Sequence, residues 1–149
     1  DFKKYNYFCY DVDKHNVQKS SKKYKRYKNI SFLNQSIEEI KVNNKKKKLF
    51  LFVGVFHHLK DSQIKKFLSK LSSKDSIIAI DPFYHKNQNF FSIFLKLLDR
   101  GKYIRNYEGY KKILIKFKFK KRINYYLKFY SHLVSYRNIG NNLIKIIIS

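Results

Sequence analysis

Two apolar runs, LFLFVGVF (49–56) and DSIIAIDPF (75–83), do most to limit what this chain can fold into. Each is too short to cross a bilayer and too continuously apolar for a strand with one wet face, so each reads as a strand buried on both faces. Between them, DSQIKKFLSKLSS (61–73) sets Ile64, Phe67, Leu68 and Leu71 at helical spacing, with Asp61 as the expected N-cap. Strand, helix, strand with continuous apolar strands means a parallel pair joined by a helical crossover.

The alternation continues on both sides. YNYFCYDVD (5–13) is a β-rich run ending in two acids, NVQKSSKKYKRY (16–27) reads as a polar helix, and ISFLNQ (30–35) as a short strand, followed by a linker at 41–48. Proline ends the 75–83 strand. Beyond it, FFSIFLKLLDRG (90–101) suits a helix closed by Gly101, and YEGYKKILIKF (107–117) suits another, although the alternation of 115–120 fits a strand equally well. RINYYLKFY (122–130) and NLIKIII (143–149) close the chain as strands, and no internal repeat is visible. The expected fold class is α/β: a Rossmann-like, mostly parallel sheet with helices on both faces, in a single domain over 1–149.

Composition narrows the function. A hydrophobic fraction of 44% with 18% aromatic residues excludes a disordered chain. No run is long and apolar enough for a membrane span, and no apolar segment follows Lys3 and Lys4 to make a signal peptide, so a cytoplasmic protein is expected. The single cysteine, Cys9, lies in an apolar run and reads as a buried thiol. A net charge of +24 raises nucleic acid as a partner. That reading is not favoured: only five of the 34 basic residues are Arg, and Lys, Asn, Ile, Phe and Tyr dominate, as AT-rich coding would produce. Lys is the poorer residue for bidentate phosphate contacts, and Lys45 to Lys48 reads as a solvated loop.

In open parallel sheets ligands bind outside the carboxyl ends of the strands. The residues there are Asp11 and Asp13, then Gln35 and Ser36, then His57 and His58, then Asp81 to Tyr84. All four ends are polar, as expected if the sheet edge lines a site.

The ordered set YDVD, NQSIEEI, VGVFHHLKD, AIDPFY and LLDRGKYIRNYEGY, spanning Tyr5 to Tyr110, resembles the class I S-adenosylmethionine-dependent methyltransferases. The resemblance implies S-adenosylmethionine as cofactor, with Asp11 accepting from its ribose hydroxyls and Ser36 and Ile37 flanking its adenine. Val53 and Gly54 would lie beside the methionine part, with His57 facing the reacting methyl. Tyr84, Arg100 and Arg105 are candidates for contact with the methyl acceptor, whose identity the sequence leaves open. The physics fits these roles: a carboxylate at a strand tip grips a vicinal diol, a glycine admits a ligand close to the backbone, and an imidazole titrates near neutrality.

Plainer readings stand beside them. In these Asp11 caps the following helix, His57 and His58 cap the next one or satisfy carbonyls, and Asp81-Pro82 is a strand-ending turn. Arg100 and Arg105 would then pair with Asp99 and Glu108 at the surface. Zinc through His57, His58 and His85 is not expected, because adjacent histidines on a strand point to opposite faces; by the same alternation His57 faces the site and His58 the next helix. The family's opening strand and glycine-rich loop find no counterpart, since ten residues precede Asp11 and the first glycine is Gly54. The expectation is therefore a partial methyltransferase-like domain, belonging to a longer chain, with a degenerate scaffold or a basic RNA-associated protein as alternatives.

Overall fold

The computed structural model describes residues 2–43, 45–126 and 130–139, and the chain divides into two units, Asp1–Val42 and Asn43–Ser149, where the sequence suggests one domain.

In the first unit, β1 (Tyr7–Asp11) pairs in parallel with β2 (Ile30–Asn34), in register from Tyr7↔Ile30 to Asp11↔Asn34, with α1 (Lys14–Lys23) as the crossover. The helix starts two residues before the sequence reading because Asp13 caps it, its carboxylate accepting from the amides of His15 at 2.8 Å and Asn16 at 3.3 Å. Asp11 is therefore not the cap. Among the described residues of this unit none is buried, and Cys9 is exposed rather than a buried thiol. The physical reason is size, since two strands and one helix cannot cover both faces of a sheet.

In the second unit, β3 (Leu49–Val53) pairs in parallel with β4 (Ser76–Tyr84), from Leu49↔Ser76 to Val53↔Ile80, through α2 (Asp61–Ser69). Ile64, Phe67 and Leu68 bury the inner face of α2, each burial contributing about 2 kcal/mol, and Phe67 meets Phe52 edge-on at 5.7 Å. Asp61 is the first helical residue and Lys60 the N-cap, whose amide donates to the Gln63 side chain at 2.8 Å. β3 is buried on one face only: Phe52 points in, toward Phe56 and Phe67, while Leu49, Leu51 and Val53 alternate to the other face and are exposed; among the described residues β4 is its one strand partner.

β4 runs through Pro82 instead of stopping there; Pro82 lies beyond the last β3 pair, Val53↔Ile80, where that side of the strand no longer carries the β3 ladder. On its other side β4 pairs antiparallel with β7 (Tyr130–Arg137), which pairs antiparallel with β6 (Lys120–Tyr126), and β5 (Arg105–Asn106) adds two parallel pairs at the end of β4. The sheet order is β3-β4-β7-β6. Residues 115–117 form a 3-10 turn after α4 (Tyr107–Leu114), and Lys118 at φ 57 is left-handed, so the alternation of 115–120 is not one strand. The expected closing strand at 143–149 lies outside the described residues, as do 127–129. The architecture is mixed α/β of the Rossmann-like kind.

The helix α3 (Phe90–Leu98) is built the wrong way round for a surface helix. Its buried residues are Ser92 and Lys96, while Phe90, Phe91, Phe94, Leu97 and Leu98 are exposed. It ends before Gly101, with Asp99 at its C-cap. Among the described residues no helix is long and apolar enough to cross a membrane.

Candidate functional site around His57

β3 leaves its sheet at Gly54, whose amide still donates to Ile80 O at 2.8 Å while its φ of 62 turns the chain aside. A side chain there would be strained by the left-handed backbone. The turn that follows, Phe56–His58, is 3-10 helical. That removes the basis for strand alternation: the His57 and His58 rings do not point to opposite faces but pack with centroids 4.0 Å apart. His57 is buried at 4% exposure and His58 is exposed.

Both ends of the His57 imidazole meet carboxylates. Nδ1 lies 3.0 Å from Asp81 Oδ1, which also accepts from the His57 amide at 3.2 Å. Nε2 lies 3.3 Å from Asp99 Oδ1. Asp81 is itself 2% exposed, and its Oδ2 meets no hydrogen-bond donor among the described residues. Burial pushes the Asp81 carboxyl above its ordinary pKa, against the pull of the His57 ring and amide. Burial and the neighbouring His57 lower the pKa of His58, with Asp99 and Asp81 acting the other way.

The segment after α3 is stitched onto this turn. Asp99 Oδ1 accepts from the Gly101 amide at 2.7 Å, and the Tyr103 amide donates to His57 O at 2.9 Å. A Cβ on Gly101 would overlap the His57 ring, so this position needs glycine for space. Arg105 then uses all five guanidinium donors within the protein: Nε and Nη2 on Asp61 at 2.9 and 2.7 Å, Nη1 on Phe56 O and Tyr103 O, and Nη2 also on Leu59 O. Its partner is Asp61 rather than Glu108, and no donor is left for a substrate.

The structure thus brings together Val53, Gly54, His57, His58 and Asp81, and adds Asp99, which the sequence reading treated as a surface partner for arginine. Tyr84 ends β4 half-buried and Arg100 is exposed. Asp11 ends β1 in the first unit, where Oδ1 accepts from the Asp13 amide at 2.9 Å and Oδ2 from Asn16 Nδ2 at 3.3 Å. A carboxylate has about four lone-pair sites, so acceptor capacity for a diol remains. Ser36 opens a turn containing Ile37, its amide donating to Glu39 Oε2 at 2.6 Å. Lys96 was missed altogether: Nζ donates to Phe83 O and Gln88 Oε1, both at 2.7 Å, and to Ser92 Oγ at 3.3 Å, and burial lowers its pKa to about 8. One lysine within an apolar helix carries no signal that it faces inward.

Neither a protein-family model nor a curated protein matches the sequence. Solved structures do match its fold. A mitomycin 7-O-methyltransferase is similar with a TM-score of 0.68 at 12% identity, over 90% of this chain and 42% of its own. Human N-acetylserotonin methyltransferase, solved in complex with SAM, is similar at 0.63 and 12% identity, over 90% and 41%. A SAM-dependent methyltransferase from Aquifex aeolicus is similar at 0.62 and 16% identity, over 88% and 68%. The chain spans about two-fifths of the length of the first two, and the likeness is one of fold, methyltransferase-type and Rossmann-like.

Proposed function

We propose that this chain serves S-adenosylmethionine-dependent methyl transfer. The observation that carries the reading is the end of β3, where Gly54 turns at φ 62 and His57 follows with its ring fixed by the buried Asp81. This is the carboxyl end of a parallel pair, where α/β sheets bind ligands.

In this reading Val53 and Gly54 lie along the methionine part of the cofactor. The cofactor supplies an electrophilic methyl group on a sulfonium. What remains for the protein is to orient the acceptor, exclude water and manage one proton. His57 suits the last task, since Asp81 Oδ1 at 3.0 Å from Nδ1 fixes the ring and Nε2, 3.3 Å from Asp99 Oδ1, can hand a proton on to that carboxylate. Tyr84 and Arg100 are the proposed contacts for the acceptor; Arg105 instead positions the turn that carries His57.

The test is calorimetric titration of S-adenosylmethionine into the protein as its gene encodes it, followed by turnover with a panel of hydroxyl and amine acceptors. His57→Ala should slow transfer by roughly a hundredfold with cofactor affinity little changed. Absence of saturable binding, or equal turnover of parent and His57→Ala, overturns the proposal.

A further inference from the structure

We propose that His57, His58 and Asp99 form a binding site for a divalent ion of the zinc type, with Asp81 as the carboxylate behind His57. One ligand atom from each of the three lies within 4.8 Å of the others. The sequence reading set zinc aside because neighbouring histidines on a strand diverge; on the observed 3-10 turn they do not, with ring centroids 4.0 Å apart.

One edge of the site is already at coordination spacing. Bonds of about 2.0–2.2 Å around a tetrahedral zinc place ligand atoms about 3.3–3.6 Å apart. His57 Nε2 and Asp99 Oδ1 are 3.3 Å apart. A neutral imidazole has a single N–H, yet both nitrogens of His57 face carboxylate oxygens. With the proton on Nδ1, where Asp81 accepts it, the Nε2 lone pair is aimed at a negatively charged oxygen, and a cation between the two satisfies both. A carboxylate on the far nitrogen of a ligating histidine is the usual way such a ring is oriented and made more basic.

The third ligand needs little movement. His58 is exposed, so its ring can swing toward the pair without disturbing the core. Asp99 is delivered by construction, through the Gly101 amide on its Oδ1 and the close approach of Gly101 to the His57 ring. Two imidazoles and one carboxylate suit zinc and its neighbours, whereas magnesium and calcium prefer all-oxygen sets. Three protein ligands leave a fourth position open, as catalytic rather than structural zinc sites do. Ion binding is tested apart from methyl transfer but takes the same Nε2 that the methyl-transfer reading gives to the proton; with the ion bound, the further step, that an acceptor hydroxyl takes the fourth position and loses its proton to bulk water, rests on that reading.

The competing occupant is a second proton on His57, bridging the two carboxylates with no metal. Chelator-treated protein titrated with Zn²⁺ by calorimetry, and with Co²⁺ by visible absorption, separates the two without any need for activity. The expected result is one ion per chain and tetrahedral-type Co²⁺ absorption. Asp99→Asn and His58→Ala should each weaken binding about tenfold or more, and Asp81→Asn, acting only through His57, by about 10–100-fold. His85→Ala, outside the cluster, should bind as the parent does. Because His58 is exposed, His58→Ala is expected to fold, and circular dichroism checks it. No saturable Zn²⁺ binding, or binding unmoved by His58→Ala and Asp99→Asn, overturns the site in favour of the proton bridge.

Discussion

Asp81 Oδ1 takes both the amide and the ring of His57, at 3.2 and 3.0 Å, so a single carboxylate oxygen from β4 fixes the backbone and the side chain of the turn after β3. Removing it leaves a buried amide and a buried ring nitrogen without their partner. Asp81→Ala is expected to cost about 3 kcal/mol in urea unfolding. Asp81→Asn, which keeps an oxygen in place, should cost clearly less. Equal losses for the two variants would mean that the oxygen is not what holds the turn.

Arg105 offers a second, sharper contrast. Three of its five donors reach the backbone carbonyls of Phe56, Leu59 and Tyr103, and the other two reach Asp61. A lysine has three donors on a point charge and cannot reproduce this fork. Arg105→Lys should therefore destabilise by about 2–3 kcal/mol, the cost of leaving buried acceptors unmet. Asp61→Ala should cost under about 1 kcal/mol, because the Asp61 side chain is 57% exposed and the carbonyl contacts survive. Equal sensitivity of the two would show that the ion pair, not the carbonyl set, is what matters.

Much of this was legible. The apolar runs gave β3 and β4, helical spacing gave α2, and the polar strand ends gave Asp11, His57 and Asp81 as residues to inspect. Alternation failed at His57 because Gly54 turns the chain out of the strand, and no pattern of apolar residues reports a positive φ. Burial failed for Cys9 and for one face of β3 because a continuous apolar run says what a strand prefers to cover, not what its neighbours supply. Asp99 was read as a surface ion because its nearest arginines dominate the local sequence, while its observed partner, His57, is 42 residues away and is reached only through the fold.

The reversed helix α3 inverts the usual ranking of substitutions. On an ordinary amphipathic helix the phenylalanines and leucines carry stability and the lysine is free. Here Phe90 is 82% and Leu97 71% exposed. Phe90→Ala and Leu97→Ala should each stay within about 0.5 kcal/mol of the parent in denaturant unfolding. Lys96→Ala, which strips a donor from Phe83 O, Gln88 Oε1 and Ser92 Oγ, should cost about 1–3 kcal/mol. The opposite order would mean that α3 presents its other face to the core.

Lys96 also predicts how stability changes in alkali. Burial lowers its pKa from 10.5 to about 8, although three acceptors around Nζ favour the ammonium. Below about pH 8 the lysine is charged in both folded and unfolded chains, and the cost of burying that charge is fully present. Between about 8 and 10.5 the unfolded chain holds the proton and the folded one has lost it, so the unfolding free energy contributed by this group rises with pH. Above that window both forms are neutral and the contribution levels off. So that contributions from other ionisable groups cancel, the quantity to measure is the difference in unfolding free energy between the parent and Lys96→Met. That difference should climb in the parent's favour from pH 8 to pH 10.5, by about 3 kcal/mol at most. A difference flat across the window would show that the acceptors hold Lys96 protonated as firmly as water does, and a falling one would show that they hold it more firmly.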